Sequence, residues 1–166
     1  MAIIFDEQNK IFKLDTKTST YIFGVFTGDY LVHYYYGAPI PDTNVEKLRY
    51  RGHFASFCPD SPTAREKNFS PDVTPMEYST NGAGDFRISA FAVKNANGDT
   101  VTDLRYVSHK IYKGKKALKG LPSLYLNNDD EADTLEVLTC DKVTGAENKK
   151  EMLALADKAL LDVVMP

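Results

Sequence analysis

The sequence predicts a mostly β protein, an antiparallel β-sandwich of reduced size with one amphipathic α-helix at its C-terminal end. Runs rich in aromatic and β-branched residues alternate with turn residues through the first 36 positions and again between positions 100 and 140, as in the strands of a half-buried sheet. The chain has 166 residues and is 43% hydrophobic, enough for one domain with a real core. Helix-forming residues gather only in the tail.

Four strands are predicted to open the chain as an antiparallel meander, at residues 3–5, 11–15, 20–26 and 30–36. Residues 7–10 form the first turn. Thr27, Gly28 and Asp29 make a hairpin connection, in which glycine permits the backbone that a tight reversal needs.

The next segment, residues 37–84, is predicted to be a long irregular loop. It contains six of the chain's eight prolines, and proline removes the backbone donor that a central strand requires. Its aromatic residues argue against simple disorder, because they offer apolar surface for docking. An irregular segment of this length within a compact domain is usually functional or disordered.

Strand character returns at residues 85–88, 90–93, 100–112, 124–126 and 134–140. In the third run, residues 100–112, Val101 and Ile111 are at odd positions and Tyr106 is at an even position, so a regular strand could not point all three side chains to the same face. This pattern predicts a bulge or bend within the run. A lysine- and glycine-rich loop follows at residues 113–121, and its lysines are most simply a solvated surface.

The tail from residue 146 to 161 is predicted to be a helix, because alanine, leucine, glutamate and lysine dominate it. One apolar stripe has helical spacing and consists of Met152, Leu155, Ala156, Ala159 and Leu160. The expected organisation is therefore a sandwich at residues 1–145 and a helical tail at residues 146–166.

Composition excludes several functional classes. A net charge of −3 argues against a nucleic-acid-binding protein defined by overall basicity. The N-terminus has no signal-peptide pattern and no long apolar run occurs, so we expect no membrane partner and a cytoplasmic location. Two distant cysteines and three histidines have no zinc-ligand spacing, and no glycine-rich phosphate loop is complete, so no metal or cofactor is expected.

Three local patterns suggest contacts. Asp85 and Arg87, like Asp103 and Arg105, are two positions apart in predicted strands, so each pair is most simply a same-face ion pair. The third pattern is a run of three tyrosines at residues 34–36, in which the middle ring is expected to face opposite to its neighbours. One face would pack in the core, and the other could stack on sugars or meet a subunit.

Four segments carry a family likeness. The sequence from Ile3 to Phe12, the hairpin from Gly28 to Gly37, the stretch from Phe69 to Arg87 and the run from Thr100 to Pro122 resemble the N-terminal β-sandwich domain of family 36 glycoside hydrolases, the α-galactosidases. The resemblance implies a supersandwich of the galactose-mutarotase type that precedes a catalytic (β/α)₈ barrel and helps to build a tetramer. The likeness covers about residues 1–145, after which we expect the chain to depart from the family.

In the family, the nucleophile and the acid/base are aspartates of the barrel, and the nucleophile lies in a Lys-x-Asp-x-Asn motif. That motif is absent from this sequence, and 166 residues are too few for a barrel. The resemblance therefore implies a chain that ends before the catalytic part, and no catalytic residue is assigned to it.

The family's N-terminal loop also reaches a neighbouring subunit's sugar pocket, and it corresponds here to residues 49–68. The resemblance implies that Arg65 corresponds to a sugar-contacting arginine and that His53 stands where an acidic residue is expected. The loop, the tyrosine strand and the Asp85–Arg87 pair together supply five candidate residues for a sugar rim or subunit interface: Tyr36, His53, Arg65, Asp85 and Arg87.

These observations leave three functions open. The first is a non-catalytic α-galactosidase domain with an assembly or carbohydrate-associated role, whose partners are other copies of itself or a missing catalytic barrel. The second is a free-standing carbohydrate-binding or mutarotase-like module for galactosides, and the third is a structural oligomerisation protein.

Overall fold

A computed structural model describes residues 2–50, 70–90, 92–116, 126, 128, 131–155 and 159–164. Two four-stranded antiparallel sheets form the body of the protein. The mostly β, antiparallel class predicted from the sequence is therefore confirmed. No helix in these ranges is long and apolar enough to cross a membrane.

The first sheet is a simple meander in chain order. Its strands are β1 (Ala2–Asp6), β2 (Ile11–Asp15), β3 (Thr20–Phe26) and β4 (Tyr30–Gly37). The predicted turns connect them: the Asp6 carboxylate accepts the backbone N–H groups of Gln8 and Asn9, as short acidic side chains do in turns. The first third of the chain folds as its alternation of strand and turn residues predicts.

The second sheet is also a meander. Its strands are β5 (Leu104–Lys113), β6 (Ala132–Asp141), β7 (Glu147–Leu155) and β8 (Ala159–Val164). The pairing of β5 with β6 shifts register between Tyr106 and Ser108, which confirms the bulge predicted from broken parity.

The core lies between the two sheets. Phe12 and Phe23 are paired on β2 and β3 and stack with ring centroids 4.8 Å apart. They belong to one buried cluster with Leu135 and Val137 of β6 and Met152 of β7. Side chains from both inner faces thus interdigitate, as in a β-sandwich.

The predicted C-terminal helix is wrong, because residues 147–155 and 159–164 are strands. β7 pairs with β6 along nine register positions, including Leu135 with Met152. Met152 and Leu153 are both essentially fully buried although they point to opposite faces. A strand that is buried on both faces does not alternate, so its composition alone does not separate it from a helix.

The tyrosine run also differs from the prediction. β3 and β4 shift register between Ile22 and Phe23, so that Ile22 pairs with Tyr35 and Phe23 with His33. Tyr34 is the extra residue of this bulge. Tyr34 and Tyr35 pack against one outer cluster with Ile11 and Ile22, whereas Tyr36 lies opposite Tyr21.

In the chain between β4 and β5, the described parts of the proline-rich segment contain a 3₁₀ helix at Val45–Leu48 and isolated bridges. Part of this segment, residues 75–77, lies along the edge of β4: His33 donates its backbone N–H to the carbonyl of Pro75, and Glu77 donates to Leu31. The strands predicted at residues 85–88 and 90–93 are absent from their described positions.

Candidate functional site

Three of the five predicted site residues lie in the described part of the chain: Tyr36, Asp85 and Arg87. His53 and Arg65 lie outside the described residues, as do most of residues 49–68. No hydrogen bond, ion pair or ring contact among the described residues joins Tyr36 to Asp85 or Arg87. The structure therefore places these three residues in two local arrangements that share the segment at residues 70–90.

The first arrangement is a guanidinium clamp centred on Arg87. Its Nε and Nη2 atoms donate to the two carboxylate oxygens of Asp85, at 2.9 and 2.7 Å. The same side chain donates to the backbone carbonyls of Thr74, at 2.8 Å, and Pro71, at 2.7 Å. Bidentate, charge-assisted contacts of this kind are strong, so the clamp joins residues 71–74 to residues 85–87 rigidly.

The predicted same-face pairing of Asp85 with Arg87 is confirmed as an ion pair, although its setting is a loop and not a strand. The hydrogen bonds from Arg87 to Asp85 raise the pKa of the guanidinium against the opposing effect of burial. Asp85 is 5% exposed and its two carboxylate oxygens accept from Arg87. This carboxylate is therefore a structural anchor and is poorly placed for proton transfer.

The clamp holds two apolar side chains in solvent. Phe86 and Ile88 flank Arg87 and are 78% and 96% exposed. The backbone around them is held by Ala90, which donates to the Ser79 carbonyl at 3.0 Å, and by the Ser79 hydroxyl, which donates to the Ile88 carbonyl at 3.3 Å. Exposed apolar side chains on a fixed backbone are characteristic of an interaction surface.

The second arrangement runs from Tyr36 at the surface to a buried charge pair. Tyr36 is 64% exposed, and its ring meets that of Tyr21 edge-on with centroids 6.0 Å apart. Tyr21 donates its hydroxyl to Glu77. The His33 ring lies 5.3 Å from that of Tyr21, and its Nδ1 is 3.8 Å from the Glu77 carboxylate.

Glu77 forms its ion pair with Lys150, which points from β7 into the space between the sheets. The two side chains are 3% and 6% exposed. Burial raises the pKa of the Tyr21 hydroxyl, and the neighbouring Glu77 charge raises it further, so this hydroxyl remains a hydrogen-bond donor. The Glu77 carboxylate is thus engaged by both a lysine and a tyrosine.

The sequence interpretation missed Glu77 and Lys150. They are 73 residues apart, and Lys150 falls in the tail that was predicted to be helical. Alternation along residues 148–152 offered a signal: Asn148, Lys150 and Met152 share a face in a strand, but lysine on a core-facing position is unusual.

Neither arrangement has the free, facing carboxylates that glycoside hydrolysis requires. The described residues also contain no group of three or more acidic, histidine or cysteine side chains arranged to hold a metal ion. What the site offers is a rim of exposed aromatic and apolar side chains on a rigid support.

Comparison with known families now identifies the fold. The family described as "Glycosyl hydrolase family 36 N-terminal domain" matches residues 29–161. The chain belongs to this family. The matched region continues across residue 145. It includes β7 and the first half of β8, the two strands that were predicted to be a helix.

The similar proteins are α-galactosidases. Alpha-galactosidase AgaA of Geobacillus stearothermophilus is 39% identical over 147 residues, which cover 89% of this chain. Mel36A of Lactobacillus acidophilus is 39% identical over 145 residues, or 87% of this chain. In each case the match spans only 20% of the relative's length.

Solved structures of the family have the same fold. The GH36 α-galactosidase AgaB of Geobacillus stearothermophilus superposes with a TM-score of 0.80 at 38% identity, over 93% of this chain and 21% of that one. The galactosidase domain of AgaSK superposes with a TM-score of 0.85 at 32% identity, over 94% and 21%. The family 36 domain therefore accounts for nearly all of this chain and for about a fifth of each relative.

Proposed function

We propose that this chain is a non-catalytic assembly domain of an α-galactosidase-like family 36 hydrolase, acting with a catalytic barrel and with other copies of itself. The family match carries the proposal, since the chain spans about a fifth of the length of the α-galactosidases it matches. The sequence contains no Lys-x-Asp-x-Asn motif.

The geometry supports an assembly role in two ways. Glu77 and Asp85, the two carboxylates of the candidate site, are committed to Lys150 and Arg87. By contrast, Tyr36, Phe86 and Ile88 are mostly exposed. Large apolar or aromatic side chains of this kind bind strongly when a partner covers them, because little conformational entropy remains to be lost on a fixed backbone.

A domain exchange tests the proposal. The purified chain is assayed with a nitrophenyl α-galactoside, and we expect no turnover. The chain then replaces the matched fifth of AgaA, and we expect this chimera to be soluble and to hydrolyse the galactoside, while AgaA without that fifth is inactive. Turnover by the chain alone would disprove the non-catalytic assignment, and an inactive or insoluble chimera would disprove the assembly role.

A further inference from the structure

A cavity of about 460 Å³ lies at one end of the sandwich, where loops of both sheets meet. It is formed by Gly28 and Asp29 of the β3–β4 hairpin, by Asp103 and Arg105 around the start of β5, and by residues 141–143 of the β6–β7 hairpin. This volume is within the usual range for small-molecule sites. The cavity lies apart from the Arg87 clamp and the Tyr36 rim, and shares no lining residue with either.

The walls of the cavity are fixed by hydrogen bonds between its loops. Arg105 binds both carboxylate oxygens of Asp103, at 2.8 and 2.6 Å, and donates to the Gly28 carbonyl at 2.5 Å. Its guanidinium lies 3.6 Å above the Tyr30 ring, a favourable cation–π distance. The backbone N–H of Tyr106 donates to the Asp29 carbonyl at 2.7 Å.

The opposite wall is equally constrained. Asp141 is 2% exposed, and its carboxylate accepts the backbone N–H groups of Asp103, Val143 and Thr144 at 3.1, 2.8 and 3.2 Å. Burial would raise the pKa of this carboxyl, but these hydrogen bonds lower it below its usual value. Both walls therefore exist before any ligand arrives, and little ordering is needed to bind one.

Among the described residues, the cavity has donors and an acceptor without partners. Arg105 has five N–H groups, of which three donate to residues in the described part of the chain, and Lys142 is exposed. The side-chain carboxylate of Asp29 accepts no hydrogen bond from the described residues. A cation would use only the acceptor and an anion only the donors, whereas a hydroxyl group both donates and accepts.

We propose that this hairpin-end cavity binds a neutral polyhydroxylated molecule, a saccharide, with Asp29 accepting its hydroxyl protons and Arg105 and Lys142 donating to its oxygens. The charges of the lining support a neutral ligand. Three aspartates face one arginine and one lysine, which leaves about one negative charge and disfavours an anion. The inference is independent of the proposed assembly role, because the residues that line the cavity differ from those of the Arg87 clamp and the Tyr36 rim.

Calorimetric titration of the intact chain with raffinose, maltose, sodium phosphate and calcium chloride tests the site. We expect binding of at least one of the two saccharides and of neither salt. Asp29→Asn should weaken it about tenfold or more, the range for loss of a charged hydrogen-bond partner, and Lys142→Gln should weaken it less. Asparagine tolerates the positive φ of 64° at this position, so the fold should be kept.

Glu46→Gln and Lys17→Gln are matched controls outside the cavity, and neither should change the affinity. Amide NMR shifts should localise the saccharide to residues 28–29 and 141–143. The proposal is overturned if neither saccharide binds, if only phosphate or calcium binds, if the shifts lie elsewhere, or if Asp29→Asn binds as tightly as the parent chain while unfolding at the same temperature.

Discussion

At the scale of single residues, the Glu77–Lys150 pair links the proline-rich segment to the second sheet. Both side chains are almost fully buried, and Tyr21 of the first sheet donates to the same carboxylate. A buried ion pair gains little over a well-packed apolar pair, but a single buried charge without its partner is costly. The pair therefore makes correct docking of residues 75–77 on β4 a condition for stability.

We expect Glu77→Gln to lower the free energy of unfolding by about 3–5 kcal/mol, because it leaves the Lys150 ammonium without its counter-charge in the interior. Urea denaturation measures this directly. The double variant Glu77→Gln with Lys150→Met removes the stranded charge and should recover part of the loss. A loss below about 1 kcal/mol in the single variant would contradict the buried pairing.

Residue spacing predicted some of these contacts and not others. Two ion pairs, Asp85–Arg87 and Asp103–Arg105, were predicted because residues two positions apart in an extended chain lie on the same face. Both ion pairs are present. The face of the sheet to which Tyr36 points could not be derived from spacing. The bulge at Tyr34 adds one residue to β4, so the side chains after it point to the faces opposite to those that regular alternation predicts. The pairing of Glu77 with Lys150 could not be predicted, because the two residues are 73 positions apart and local alternation indicates only the face on which Lys150 lies.

At the scale of elements, the first meander was predictable and the last hairpin was not. Strands β1 to β4 carry strand-forming residues separated by clear turns, so local preference and tertiary structure agree. The residues of β7 have a local preference for a helix. They form a strand because β7 pairs with β6 and β8 and buries side chains on both of its faces. Helix propensity is a weak prior that tertiary context overrides.

Removal of the residues after Gly145 tests whether the tail is an attached helix or an internal strand of the second sheet. An attached helix could be lost without unfolding the sandwich. An internal strand could not, because β7 supplies Met152 to the core cluster and Lys150 to Glu77. We therefore expect the truncated chain to lose its far-UV β signal and its cooperative thermal transition; a folded, soluble truncated sandwich would contradict the observed pairing of β7.

At the scale of the whole molecule, Phe86 and Ile88 are the clearest sign that the described surface is incomplete by itself. Their backbone is fixed by the Arg87 clamp through contacts to residues 71, 74 and 85, yet their side chains contribute almost nothing to the core. Replacing them should therefore affect contacts between this domain and a partner while leaving the domain's own stability intact.

The double variant Phe86→Ser with Ile88→Ser tests that separation in two settings. In the isolated chain, we expect the thermal midpoint to stay within a few degrees of the parent, since surface substitutions usually change stability by less than about 0.5 kcal/mol. In the AgaA chimera, we expect a lower midpoint or a smaller assembly by light scattering, because truncated interface anchors commonly cost about 2 kcal/mol or more. Val143→Ser, at a side chain that is 92% exposed on the β6–β7 hairpin, is the matched control. If the double variant and the control behave alike in the chimera, Phe86 and Ile88 do not meet a partner, and the assembly surface must be sought at Tyr36.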